Sequence, residues 1–176
     1  YDYLYSDDPT DNSGYTLSEF YGILQARRGA DFFNVGDKIK ICLDTNVVTD
    51  TVIVMQLIGF NHFKETGQST FANAVFLMVG VLNGMRQHQS SGTNVDGWKS
   101  SLIRTFLNDS LFPVLPAKWR HMIKAVDVIG SVGGMNTTNF HTTSDKLFLL
   151  SMAEVGQSAT TAPYSGEVDP NAAQVT

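Results

Sequence analysis

The sequence predicts an α+β fold: two main helices packed on mostly antiparallel strands, joined by long loops. Three observations carry that expectation. Thr16-Leu17-Ser18-Glu19 has the Thr-x-x-Glu pattern of a capping box, so a helix starts there. Lys38 to Leu43 alternates polar and apolar residues with the period of two of a half-buried strand. Within Gly97 to Asn108, Trp98, Leu102 and Phe106 recur every fourth residue, with Ile103 and Leu107 beside them. That spacing gives a helix one broad apolar face.

Taken in order, residues 1–14 form an extended N-terminal arm that holds Asp2, Asp7, Asp8 and Asp11, with Tyr1, Tyr3 and Tyr5 alternating at its start. Two readings stand for the tyrosines. They add a strand to a neighbouring subunit's sheet and act as assembly contacts, or they belong to a loose terminus. The first helix runs through Arg28, buries Leu17, Phe20, Tyr21 and Leu24, and stops at Gly29. Arg27 and Arg28 end it, where cations favour the helix dipole. Val35-Gly36-Asp37 turns the chain into the strand from Lys38 to Leu43, whose isoleucines face away from Cys42. Asp44-Thr45-Asn46 closes a hairpin onto a long apolar strand, Val47 to Phe60. Residues 70–86 fit either a helical stripe (Phe71, Val75, Met78, Leu82, Met85) or a buried strand from Val75 to Val79.

Asp96 is placed to cap the helix that Trp98 anchors, and Phe112-Pro113 and Leu115-Pro116 block its continuation. Pro116 suits the first position of a second helix, with Trp119, Met122, Ile123 and Val126 inward and His121 toward solvent. Gly130 to Thr143 reads as a loop, and Lys146 to Ser151 as a buried strand. From Gln157 small and polar residues prevail. The expected organisation is an arm (1–14), one globular domain (15–157) and an extended polar tail (158–176).

Composition narrows the functional classes. With 176 residues, 43% hydrophobic, the chain can bury a core, while only 16% of its residues are charged. A polar but sparsely charged surface suits a protein held in an assembly or exposed outside a cell. A net charge of -5 argues against a nucleic-acid partner, which needs clustered Lys and Arg. The single cysteine, Cys42, excludes an intramolecular disulfide framework. It reads as an ordinary strand residue, although nearby lysines would favour a thiolate. No run reaches the ~20 apolar residues of a membrane span, and no segment reads as a signal peptide. The chain opens on Tyr1 rather than Met, as a processed chain or a fragment of a longer protein would.

Several separated motifs carry a resemblance. They are Val35-Gly36-Asp37, Gly59-Phe60-Asn61-His62, Gly97-Trp98-Lys99-Ser100-Ser101, Arg104, Leu107-Asn108, Leu115-Pro116 and Asp145 to Ser151. In this order, over roughly residues 15 to 157, the chain resembles an uncharacterised domain family of bacteriophage structural proteins and bacterial surface proteins. That family is distantly similar to C-type-lectin-like folds. The resemblance implies a C-type-lectin-like arrangement and a place in a virion. Many members continue with Gly-Glu-Gly and Trp-Trp-Leu-Arg, whereas here Val168 follows Gly166-Glu167 and no tryptophan pair comes after it.

Candidate sites are few. Gly130-Ser131-Val132-Gly133 lacks the residue between Gly and Ser that a nucleophile elbow requires. His62, His88, His121 and His141 form no i, i+4 pair, so neither a metal site nor another cofactor is expected. Asp169-Pro170-Asn171 has the order of a lectin calcium triplet, but no Trp-Asn-Asp follows. Asp145 and Glu154 read as structural acids. In a lectin-like fold Asn61, His62, Asn94, Arg104 and Asn108 could line one ligand-binding recess; their ordinary role is to satisfy loop backbone groups. No catalytic constellation is read. The expected function is a non-catalytic virion structural protein: a capsid decoration, head-fibre or tail-adhesion component. Its partners are other virion proteins, copies of itself, or a host-surface glycan. The alternative is a bacterial cell-surface adhesin or glycan-binding lectin-like module, located at the cell surface.

Overall fold

The computed structural model describes residues 1–43, 52–84, 86–90, 92–134 and 139–151. In chain order the elements are β1 (Tyr5–Ser6), α1 (Leu17–Gln25), α2 (Gly29–Phe32), β2 (Lys38–Cys42), β3 (Val52–Phe60), β4 (Ala74–Met78), α3 (Leu102–Thr105), a π-helix (Phe106–Leu111), a 3-10 turn (Phe112–Val114), α4 (Ala117–Met122), β5 (Val126–Ser131) and β6 (Phe140–Asp145). The architecture is mixed α and β, with few helices and two sheets. The chain divides into two compact units. One is Tyr1–Gly84 with Pro113–Lys124; the other is Met85–Phe112 with the chain from Ala125 onward.

The first unit holds a sheet in the order β1-β2-β3-β4. β1 runs parallel to β2, and the other pairs are antiparallel, with a bulge between Leu57 and Gly59. Alternation along β2 and β3 puts Ile39, Ile41, Ile53 and Leu57 inside. Phe20 of α1 is fully buried, its ring 5.4 Å from that of Phe33 and 6.2 Å from those of Phe76 and Trp119. Burial of one such ring contributes about 2 to 3 kcal/mol. The capping box opens α1 as expected: Thr16 Oγ1 accepts from the Glu19 N–H at 3.3 Å, and Glu19 Oε2 accepts from the Thr16 N–H at 2.9 Å. Leu4 to Asp7 run along β2, where Leu4 and Asp7 donate their N–H groups to Lys38 and Lys40 carbonyls, and residues 12–14 fold back to pair with Asp2 and Tyr3.

The second unit is a two-stranded antiparallel sheet, β5-β6, together with α3 and the π-helix. Val126, Val128 and Leu111 are buried there, as are three polar residues, Ser101, Thr143 and Asp145.

Several elements depart from the expected ones. α1 ends at Gln25 rather than Arg28, because Arg27 takes a left-handed φ of 57°. That residue is held by its side chain, which donates to the Phe71 carbonyl at 2.8 Å and pairs with Glu65 at 3.1 Å. Gly29 then opens α2 instead of stopping a helix. The ambiguous 70–86 region contains a strand, β4. Asp96 does not cap a helix. Asp96 and Gly97 have φ of 63° and 48°, Trp98 lies in the turn, and Ser101 caps α3 by accepting from the Arg104 N–H. Pro116 is the N-cap of α4 rather than its first residue. Val126 belongs to β5, since Ile123 is already extended. Much of the expected 130–143 loop is strand, in β5 and β6. Lys146 to Ser151 is irregular rather than a strand. The expected hairpin at 44–46, Glu154, the Asp169 triplet and the polar tail lie outside the described residues.

Candidate functional site

A polar cluster of the second unit surrounds Asp145, whose side chain is fully buried at the end of β6. A buried carboxylate is tolerated only when paired and hydrogen-bonded. Here Trp98 Nε1 and Arg104 Nε each donate at 2.8 Å, and Thr143 Oγ1 donates at 2.5 Å. Arg104 also donates through Nη1 to the Lys99 carbonyl at 3.2 Å. Ser101, besides capping α3, donates its hydroxyl to the Trp98 carbonyl at 2.9 Å.

Asn108 completes the arrangement from the π-helix. Its Nδ2 donates to the Arg104 carbonyl at 3.2 Å and to the Leu147 carbonyl at 2.8 Å. Its Oδ1 accepts from the N–H groups of Lys146 and Leu147 at 3.0 and 3.2 Å. One amide thus satisfies the backbone that follows β6, and that backbone turns away from ladder pairing. The wide turn of a π-helix sets this side chain within reach of it.

Close loop contacts hold Trp98 in place. A Cβ on Gly97 would stand 2.1 Å from the Ser131 carbonyl oxygen, and one on Gly133 would stand 1.7 Å from that of Asn94. Only glycine fits either position. Asn94 Oδ1 accepts from the Gly134 N–H at 2.9 Å.

These residues fall within positions 72–173, which match the sequence pattern of a family described as a domain of unknown function, DUF6273. The match spans more than half of the chain. The chain belongs to that family. No curated protein and no solved structure matches it. Of the motifs that stand out in the sequence of this DUF6273 protein, Trp98, Ser101, Arg104, Asn108 and Asp145 to Leu147 meet in one hydrogen-bond network.

Of the other residues picked out from sequence, Asn61 and His62 belong to the first unit. Asn61 closes β3 with a left-handed φ of 52° and donates its N–H to the Asn73 carbonyl, while the His62 ring stands edge-on to Phe63 at 4.7 Å. Tyr1 is exposed, with its ring against Gly14; Tyr3 lies 5.8 Å from Lys40 Nζ. Tyr5 packs edge-on against Trp119 at 5.6 Å.

Sequence reasoning missed the counterpart of Asp145 in the first unit, which is Asp7. It accepts from Trp119 Nε1 at 3.1 Å, the Cys42 N–H at 2.9 Å and the Tyr5 hydroxyl at 3.0 Å, and it pairs with Lys118. Burial works against its charge, but Lys118, Cys42, Trp119 and Tyr5 together hold its carboxyl below the usual range. Burial and then Asp7 and Asp8 push the Cys42 thiol up, the reverse of activation by the lysines. The available signal was Trp119 itself, since a buried indole N–H needs an acceptor.

A shallow cleft of about 390 Å³ runs beside α1, lined by Tyr15, Ile23, Ala26 and Phe32 among others. Its two charged residues are engaged: Glu19 in the capping box and Arg28 with Asp31 at 3.0 Å. Among the described residues no group of three or more His, Cys, Asp or Glu could hold a metal ion, and no helix is long and apolar enough to cross a membrane.

Proposed function

We propose that this DUF6273 protein is a non-catalytic structural component of a bacteriophage virion, in the class of capsid decoration, head-fibre or tail-adhesion proteins. It acts by assembly with copies of itself or with other virion proteins, and its fold is a variant of the C-type-lectin-like arrangement. The observation that supports this reading best is the Trp98–Asp145–Arg104 network. The residues that carry the resemblance to phage structural proteins spend their polar groups on one another and on backbone. They serve as scaffold, which is what a particle component requires of its motifs. Low charge density agrees with a surface made for contacts.

The test is the assembly state of the intact chain, measured by light scattering over a wide concentration range, beside glycan-array binding with and without calcium. Defined oligomers without glycan binding are expected. A chain that stays monomeric and binds glycans in a calcium-dependent way overturns the proposal and puts a cell-surface lectin-like module in its place. Tyr1→Ser probes the arm better than deletion does, because Tyr5 and Asp7 are built into the first unit.

A further inference from the structure

We propose that the outer edge of β4 is a self-association seam, which pairs antiparallel with β4 of a second copy about a two-fold axis at Leu77. This rests on the assembly reading above and names its contact. The register fixes which backbone groups are free. Val79 donates its N–H to the Val54 carbonyl, and Gln56 lies opposite Leu77, so the groups of residues 77 and 79 point toward β3. The N–H and C=O groups of Phe76 and Met78 therefore point the other way. β4 is the last strand of its sheet, and among the described residues no backbone group bonds to them.

The side chains at this edge agree. Leu77 and Val79 share one face of the sheet and are 43% and 46% exposed. Natural sheets guard their edges with charge, brevity or proline. The opposite edge is guarded in this way: β1 has two residues, and Asp8 and Asp11 pair with Lys40 beside it. β4 has no such defence. No charged residue stands between Glu65 and Arg86, and no proline interrupts the segment.

The occupant follows from the edge itself. Free strand-edge amides call for an extended strand, and an uncharged partner edge meets it without repulsion. A second β4 supplies both. With the axis at Leu77, Phe76 of one copy lies opposite Met78 of the other, and their outward groups bond to each other. Leu77 then meets its own counterpart in a close pair, and Val79 crosses to Val75.

The test is sedimentation of the full chain and of Leu77→Lys, with circular dichroism to check the fold. Leu77→Lys sets two like charges face to face and is expected to weaken association at least tenfold. An independent variant, Leu77→Cys in a chain carrying Cys42→Ser, is expected to form an intermolecular disulfide on mild oxidation. The close antiparallel pair places α-carbons about 4.5 Å apart, within disulfide reach. Leu102→Cys, at an equally exposed leucine, is the control and should not link. An oligomer that Leu77→Lys leaves intact, or a Leu77→Cys chain that links no faster than the control, overturns the seam while the assembly reading stands. A wild-type chain that is monomeric at every concentration overturns the seam and leaves the assembly reading only its other virion partners.

Discussion

Trp98 donates its indole N–H to Asp145 at 2.8 Å, across 47 positions of the chain. Trp119 makes the matching bond to Asp7 at 3.1 Å in the other unit. In each case a cation shares the carboxylate: Arg104 at 2.8 Å, and Lys118. Both units thus pin a large ring by its one polar atom to a buried charge that a nearby base neutralises. Such an arrangement resists loss of its cation poorly, because the carboxylate that remains is buried without a compensating charge.

Trp98→Phe keeps most of the ring but removes the donor, and should cost about 1.5 to 3 kcal/mol. Arg104→Ala leaves Asp145 without its cation and should cost about 3 kcal/mol. In the background of Asp145→Asn both effects should shrink, since the three residues act on one carboxylate. Urea unfolding of the set of variants reads all three. Additive losses would show that the network is not a unit.

Glycine positions separate strain from flexibility. Gly97→Ala forces a side chain into the Ser131 carbonyl at a φ of 48° and should cost more than about 2 kcal/mol. Gly22→Ala, in α1 with open space around it, should instead stabilise by about 0.5 to 1 kcal/mol. Thermal melts of the two variants are expected to shift in opposite directions.

Acid should weaken the first unit through Asp7. Its folded carboxyl is held below the ordinary value, so on acidification the unfolded chain takes up that proton first. The stabilisation is complete above about pH 5 and is lost as pH falls through the lower folded value. Asp8, lowered to about 2 by Thr10 and Lys40, titrates in the same direction. Melting temperatures measured between about pH 5 and pH 2 should fall more steeply for the wild type than for Asp7→Asn. Parallel curves would remove Asp7 from the explanation.

Cys42 should be sluggish toward iodoacetamide. Burial and the carboxylates of Asp7 and Asp8 raise its thiol, so little thiolate is present near neutrality. Alkylation of the folded chain at pH 7 should run slower than in urea. Equal rates would mean that the lysines on its strand prevail.

How much of this was legible in the sequence depended on whether the cause was local. Thr16 and Glu19 sit three residues apart, and their reciprocal bonds follow from spacing alone. Ile39 and Ile41 declare their strand by period. Ser101 as a cap was hidden by Asp96, a better-looking candidate whose left-handed backbone comes from the crossing at Gly97. The π-helix has no local signature, and without it Asn108 reads as a surface amide rather than the group that takes Lys146 and Leu147 out of a strand. Asp7 was invisible for a different reason: its partners Lys118 and Trp119 lie more than a hundred residues away. Arg104, Asn108 and Asp145 could be singled out from the motif, yet only the folded chain brings them into one network.

The second unit is interrupted by the passage of Pro113–Lys124 through the first, and that detour has a consequence for modularity. α4 lies inside the stretch that DUF6273 covers, yet its Trp119 packs on Phe20 and Tyr5, which lie upstream of position 72. The stretch that matches the family and the stretch that folds together are not the same piece of chain. Cut out at its family limits, the protein would present a bare tryptophan ring to water and a Lys118 stripped of Asp7. Any transplant of the domain must therefore carry residues 1–71 with it.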